Sequence, residues 1–204
     1  MTQILTAENY LTMPWANGGG VTQQVATAPT ESDMNSFDWR VSVAQINQSG
    51  PFSELPGVDR VLALIDGDSL QLTISDVVHH LTPDTPIRFA GESYVDCHLS
   101  EGPTRDLNLM TRRGQCSGTM QFITDSGIGI EPHDLDSTVV VITRGSFEFD
   151  GTSLSVADAL ILDRPITLAG RGTVAVLRIT PTTSSTNNLV TEGRSSAHTS
   201  KVVD

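Results

Sequence analysis

Gly50-Pro-Phe-Ser-Glu-Leu-Pro-Gly-Val-Asp-Arg60-Val-Leu-Ala-Leu-Ile-Asp-Gly67-Asp-Ser-Leu-Gln-Leu72 carries the architectural information of this chain. It opens with a Gly/Pro turn cluster and runs into five consecutive apolar residues, Val61 to Ile65. It then breaks at Asp66-Gly67-Asp68 and resumes as an alternating strand from Leu70. A short apolar run bounded by turn residues reads as a buried strand, and a tight glycine turn followed by alternation reads as a hairpin.

The same grammar extends in both directions. Upstream and through the first half, strands are predicted at Val21–Thr27, Phe37–Ile46, Arg60–Asp66, Ser69–Ile74, Val77–Leu81, Ile87–Phe89, Tyr94–Ser100 and Leu107–Arg112. A second series follows at Gly118–Ile123, Ser137–Thr143, Gly145–Phe149, Ala159–Leu162, Ile166–Ala169 and Thr173–Ile179. Helical periodicity is confined to Thr6–Met13, which Thr6 would cap and Pro14 would end. Val61-Leu-Ala-Leu-Ile-Asp-Gly-Asp-Ser-Leu-Gln-Leu and Val139-Val-Val-Ile-Thr-Arg-Gly-Ser-Phe-Glu-Phe share a strand–glycine–strand pattern, which suggests two related units. The expectation is an all-β protein of two packed barrels with few short helices. The N-terminal barrel would span residues 1–116 and the C-terminal barrel 117–181, with a Thr/Ser/Asn-rich tail over 182–204.

Composition narrows the function. With 12 basic residues against 24 acidic ones, the net charge of −12 disfavours nucleic-acid binding, which depends on Lys/Arg contacts to phosphate. No apolar run approaches the ~20 residues that cross a bilayer, and Met1-Thr-Gln-Ile-Leu-Thr-Ala-Glu lacks an export pattern. A cytoplasmic address without membrane association is therefore expected. Cys97 and Cys116 follow no C-x-x-C spacing and read as buried thiols, although a disulfide between them stays open.

Repeated strand–glycine–strand units suggest the cupin superfamily, many of whose members carry a motif resembling G-x5-H-x-H-x3,4-E-x6-G that holds a divalent metal. With Gly67 as the final glycine, Arg60 falls where the glutamate would stand, and Ser53 and Leu55 fall where the histidines would stand. Arginine has no lone pair to give a cation, so on this alignment the hollow suits an anion instead of a metal. The histidines offer no replacement: His79 and His80 are adjacent on a strand and face opposite ways, while His98, His133 and His198 lie apart. No metal site and no cofactor are expected.

Other chemistry is sparse. Asn17-Gly18-Gly19-Gly20 lacks the lysine and the strand–helix context of a phosphate loop; it reads as a tight turn from which the Asn17 amide is free to face a pocket. No G-x-S-x-G elbow is present, and no catalytic residue is assigned. Alternation in Asp38-Trp39-Arg40-Val41-Ser42-Val43-Ala44 puts Arg40, Ser42 and Ala44 on one face, and in Asp106–Arg112 it puts Asp106, Asn108, Met110 and Arg112 together. A polar face on a barrel strand is ordinarily its solvated side. Two such strands together with Arg60 make a polar-lined interior the competing reading, with Asp106 or Asp59 available as a structural partner for the arginine.

Four ordered motifs, Met13-Pro-Trp-Ala-Asn-Gly-Gly-Gly-Val-Thr22, Phe37-Asp-Trp-Arg-Val-Ser-Val-Ala44, Gly50–Arg60 and Asp106-Leu-Asn-Leu-Met110, resemble the HutD/Ves family over roughly residues 4–180. Ala16 departs from the family string M-P-W-K-N-G-G-G. The resemblance implies a bicupin (RmlC-like) fold and a regulatory or accessory role in histidine utilisation or stress response, with no firmly attached enzymatic activity. It places a ligand pocket at Asn17, Arg40, Ser53, Arg60, Asp106 and Asn108, walled by Phe52 and Met110. The implied partner is a small anionic metabolite such as urocanate or a formylated glutamate. A metal-independent cupin enzyme acting on a small organic acid, with Asp106 as base, is the alternative; a homodimer that covers exposed sheet edges is a third possibility.

Overall fold

A computed structural model describes residues 1–100, 102–133 and 135–182, and in it the chain is built almost wholly of strands. In chain order they are β1 (Gln3–Leu5), β2 (Leu11–Pro14), β3 (Gly20–Ala28), β4 (Trp39–Ile46), β5 (Gly50–Pro51), β6 (Val58–Asp66), β7 (Leu70–Ile74) and β8 (Val77–Leu81). There follow β9 (Ile87–Ala90), β10 (Val95–His98), β11 (Thr104–Arg112), β12 (Cys116–Ile130), β13 (Ser137–Phe149), β14 (Thr152–Leu154), β15 (Ala159–Leu162) and β16 (Ile166–Pro181). The tail expected over 182–204 lies, from residue 183 on, outside the described residues. No described helix is long and apolar enough to cross a membrane.

The N-terminal half contains two sheets. The larger has the order β2-β3-β4-β11-β6-β9, and the smaller has the order β5-β10-β7-β8. Between them pack Ile46, Leu62, Leu64, Leu70, Leu72, Leu81, Phe89 and Val95. The outer face of the larger sheet is also apolar: Trp39, Val41, Val43, Val61, Ala63, Ile65, Leu107 and Leu109 meet Met120, Val139, Val141, Ala175, Leu177 and Ile179 of the C-terminal sheet. This explains the uninterrupted apolar run of β6. A strand that buries one face in the barrel and the other against a second sheet cannot alternate with polar residues. Arg144 of β13 reaches across to pair with Asp84 in the β8–β9 connection, adding a polar tie between the halves.

The C-terminal sheet runs β1-β15-β13-β16-β12, with β14 paired to β13. Its other face gathers Ile128, Ile130, Val140, Ile142, Phe147, Phe149, Leu154, Leu160, Leu162, Ile166, Leu168, Val174 and Val176 into a filled apolar core. β1 belongs to this sheet, Gln3 pairing with Ile161 and Leu5 with Ala159, so the first strand joins the half built by the end of the chain.

Two local expectations change. Thr6–Met13 is not a helix: only Ala7–Asn9 forms one 3-10 turn, Thr6 makes no side-chain cap, and Leu11–Pro14 extends as β2 against β3. Leu11, Met13 and the Pro14 backbone are recruited by pairing with Gln24, Thr22 and Val21, and tertiary pairing overrides weak local helix preference. The expected breaks at Arg144-Gly145 and at 170–172 are likewise absent, because β13 and β16 run through them. The register slips between Ile142 and Arg144, and Gly145 takes φ +76, so the glycine serves a β-bulge where a turn was expected.

Candidate functional site

Arg40 and Ser42 of β4 and Asp106 and Asn108 of β11 are buried. Strand register lays them out in rows on the interior face of the larger sheet. Arg40, Met110 and Arg60 form one row, because Met110 lies opposite Arg40 on β4 and opposite Arg60 on β6. Ser42, Asn108 and Leu62 form the next, and Ala44, Asp106 and Leu64 the third. Trp39, Val41 and Val43 alternate to the opposite face, so packing of the two sheets forces the polar set inward.

These rows form the bottom of a cavity of about 350 Å³, within the ~300–1,000 Å³ usual for small-molecule sites. Asn17, Arg40, Ser53, Arg60, Asp106, Asn108, Phe52 and Met110 all lie on its lining. Trp15, Ser42, Ala44 and Leu55 lie there too, and sequence reasoning had not chosen them as site residues. Trp15 is fixed by donating from Nε1 to Thr22 Oγ1 at 2.8 Å and by an edge-on contact with Phe52, ring centroids 6.1 Å apart. Gly20 makes that position available: a Cβ there would lie 2.6 Å from the Gln45 carbonyl oxygen and 3.0 Å from the Trp15 ring. Asn17 is at the exposed mouth, where its Oδ1 accepts from the Gly19 N–H at 2.9 Å and so stabilises the turn at Gly18, φ +70. Ser53 is also exposed at the mouth. Ala16 borders the same opening.

Arg60 is 6% exposed, and its guanidinium lies 5.3 Å from the Phe52 ring centroid and 5.0 Å from that of Phe89, its cross-strand neighbour. Ring faces stabilise a cation without consuming its N–H donors. Among the described residues no carboxylate comes within ion-pair distance of Arg60, and its Nε has no hydrogen-bond partner. Burial lowers its pKa to about 10, against the smaller opposing influence of Asp106. Asp59 is not its partner, since it faces the other way and pairs with Arg113 at 2.8 Å.

Asp106 is fully enclosed, and burial raises its pKa to about 7 even though Arg60 and the Ala44 backbone N–H favour the anion. Its Oδ1 and the Oδ1 of Asn108 have no partner. Arg40 donates from Nε to Gln24 Oε1 at 3.0 Å, while its terminal nitrogens meet only the thioether sulfurs of Met34 and Met13. Burial lowers its pKa. Cavity and side chains together form a chamber with two guanidiniums and one reluctant carboxylate, suited to an anion.

Among the described residues no group of three or more His, Cys, Asp or Glu is placed to hold a metal ion. Cys97 and Cys116 are both free and buried, and burial pushes the Cys97 thiol up to about 12.

The chain is similar to known proteins over most of its length. The HutD family profile matches residues 7–177. An uncharacterised 21.2 kDa protein from the hutC 3′ region of Pseudomonas putida is 38% identical over 109 residues, 53% of this chain and 57% of that protein. Protein Ves of Citrobacter koseri is 39% identical over 109 residues, 52% of this chain and 56% of that one, so each alignment spans little more than half of the relative's length. The structure of HutD from Pseudomonas fluorescens SBW25, solved in a formate condition, superimposes with a TM-score of 0.77 at 28% identity, covering 89% of this chain and 100% of the other. A cupin 2 conserved barrel domain protein from Leptotrichia buccalis shares the fold, with a TM-score of 0.55 at 10% identity over 88% of this chain and 96% of its own.

Proposed function

This chain belongs to the HutD family, and from that premise we propose that its N-terminal barrel binds a small carboxylate metabolite without transforming it. The observation that carries this reading is the Arg60 guanidinium, buried in a cavity between two aromatic rings with no carboxylate at ion-pair distance. A buried cation without a counter-charge is costly, and an incoming carboxylate that accepts its fork of donors removes that cost. Asn108 and Ser53 supply further polar contacts from the floor and the mouth. The relation to a hutC-region protein supports a regulatory or accessory role beside histidine utilisation, with urocanate or a formylated glutamate as the natural ligands to try. The relation to protein Ves keeps a stress-response role in view.

Calorimetric titration with such acids tests the proposal. Wild-type protein is expected to bind, and Arg60→Ala to lose at least about tenfold in affinity, the equivalent of one charge-assisted hydrogen bond. Equal binding by both proteins removes Arg60 as the anchor.

One observation favours a second reading. A carboxyl group with a pKa of about 7 facing a cavity is suited to accept a proton from a substrate at neutral pH. On that reading the protein is a metal-independent enzyme with Asp106 as base. Product that accumulates with enzyme and time, and disappears in Asp106→Asn, would displace the binding-only proposal.

A further inference from the structure

The outer edge of a sheet exposes backbone N–H and C=O groups that pair with any strand placed beside them, and folded proteins guard such edges with brevity, charge, proline or bulges. Among the described residues all the terminal strands but one are guarded in these ways. β1 and β14 have three residues each, and β5 has two, one of them Pro51. β2 ends in Pro14. β9 carries Arg88, whose guanidinium donates to the Gly118 carbonyl oxygen of β12. β12 carries Asp125, and its register slips between Ser126 and Ile128. β8 is the exception. Val77-Val-His-His-Leu81 ends the smaller sheet with five residues, and it contains no Asp, Glu, Lys or Arg, no proline and no register shift.

The two faces of β8 are unfinished as well. Val77, His79 and Leu81 alternate onto the face turned to the barrel interior, where Leu81 is 3% exposed. Val77 continues the buried row Val95–Ile74 outward, yet it is 57% exposed, because the core stops at the sheet's edge. On the opposite face Val78 is 51% exposed. Two β-branched apolar side chains thus stand beside unused ladder positions.

We infer that β8 pairs with β8 of a second copy of this chain, antiparallel across a two-fold axis at His79. Strand faces alternate at every residue, so an axis normal to the sheet keeps the two interior faces on one side only when the paired residues are both odd or both even in number. One such register overlaps all five residues. It sets Val77 against Leu81 of the partner subunit, Val78 against the partner's His80, and His79 against its own counterpart; symmetry repeats each contact. Every exposed valine is then covered, and no carboxylate faces another. Charge selects a second copy as the occupant. A chain with a net charge of −12 repels its own kind, and β8 is a strip free of Asp and Glu along which two copies can approach. The same strip has no Lys or Arg to hold an acidic partner and no carboxylate to hold a basic one.

Sedimentation velocity of the full chain at pH 8 is the test. Wild-type protein is expected to pass from monomer to dimer between about 1 and 100 µM, since an interface built on one short strand belongs with the small, weak ones. Val78→Lys installs the charge that guarded edges carry and brings it into the interface twice. It is expected to stay monomeric throughout that range, with the urea midpoint of wild type, because the side chain it replaces is half-exposed. Leu11→Lys, at a position 61% exposed on β2, is the control and should dimerise as wild type does. His79→Cys places two thiols on the axis, within the ~4.4–6.8 Å Cα separation that a disulfide spans. Oxidised glutathione is expected to link most of that dimer covalently, while buried Cys97 and Cys116 leave wild type unlinked. Wild-type protein that remains monomeric throughout overturns the inference and leaves the edge to a strand of another protein. A dimer that survives Val78→Lys, dissolves in Leu11→Lys or escapes linkage in His79→Cys also overturns it, because the two copies then meet elsewhere. Should Val78→Lys fail to fold, the wild-type concentration series and the cross-link still decide.

Discussion

The enclosed carboxyl of Asp106 makes a quantitative demand on stability. Its pKa moves from the ordinary 3.8 to about 7 because burial penalises the anion more than Arg60 and the Ala44 N–H reward it. Between those two values the native state holds a proton that the unfolded chain has released. The contribution to stability is thus complete below 3.8, shrinks as pH rises, and is gone above about 7. At about 1.4 kcal/mol per pKa unit, raising the pH from 5 to 8 is expected to cost wild-type protein about 3 kcal/mol through this one group. Asp106→Asn keeps the shape and removes the titration, so that slope should vanish from the variant. Opposing groups stay out of the window: Glu92, lowered to about 2 chiefly by Arg113, loses its contribution only as pH falls from about 4.5 toward 2, and Arg60 releases its proton near 10. Urea unfolding of both proteins at pH 5, 6, 7 and 8 provides the measurement, and comparing the two curves removes every titration they share. Parallel curves, within about 0.5 kcal/mol across the range, would refute the claim that Asp106 is buried in a site hostile to its charge.

Three further outcomes are expected. Leu109→Ala empties space where the two halves meet and should lower unfolding free energy by about 2–5 kcal/mol, read from the urea midpoint. Cys97 and Cys116, both buried and unpaired, should resist a thiol reagent in the native protein and react fully in denaturant. Ala16→Lys places a cation at the cavity mouth and should tighten anion binding a few-fold at low ionic strength, the gain fading as salt screens it.

The parts of this molecule visible in its sequence are those governed by alternation. Arg40, Ser42 and Ala44 share a face, as do Asp106, Asn108 and Met110, because a strand's period of two leaves no freedom. Whether that face met water or a cavity depended on the second sheet behind β4 and β11, which no local pattern reveals; the apolar run of β6, flanked by buried neighbours on both sides, was its one trace. Counting back from Gly67 placed Arg60, while its neighbours in space were not countable. Phe89 stands beside it through β6–β9 register, and Met34 approaches Arg40 from the β3–β4 connection. The glycines at 145, 170 and 172 misled for a physical reason: the same backbone freedom that permits a turn permits a bulge inside a long strand.

The pairing of β1 with β15 bears on how the protein is made. Gln3 to Leu5 are translated more than 150 residues before their hydrogen-bonding partners, Ala159 to Ile161. β1 must wait, unmatched, until β15 has been made. Ordering so distant a pair has an entropic cost that local contacts do not repay, which delays this step relative to hairpin formation. β1 therefore acts as a clasp that shuts late, and a bulky group placed beside it would hinder that closure while leaving the sheets that bear the cavity free to form.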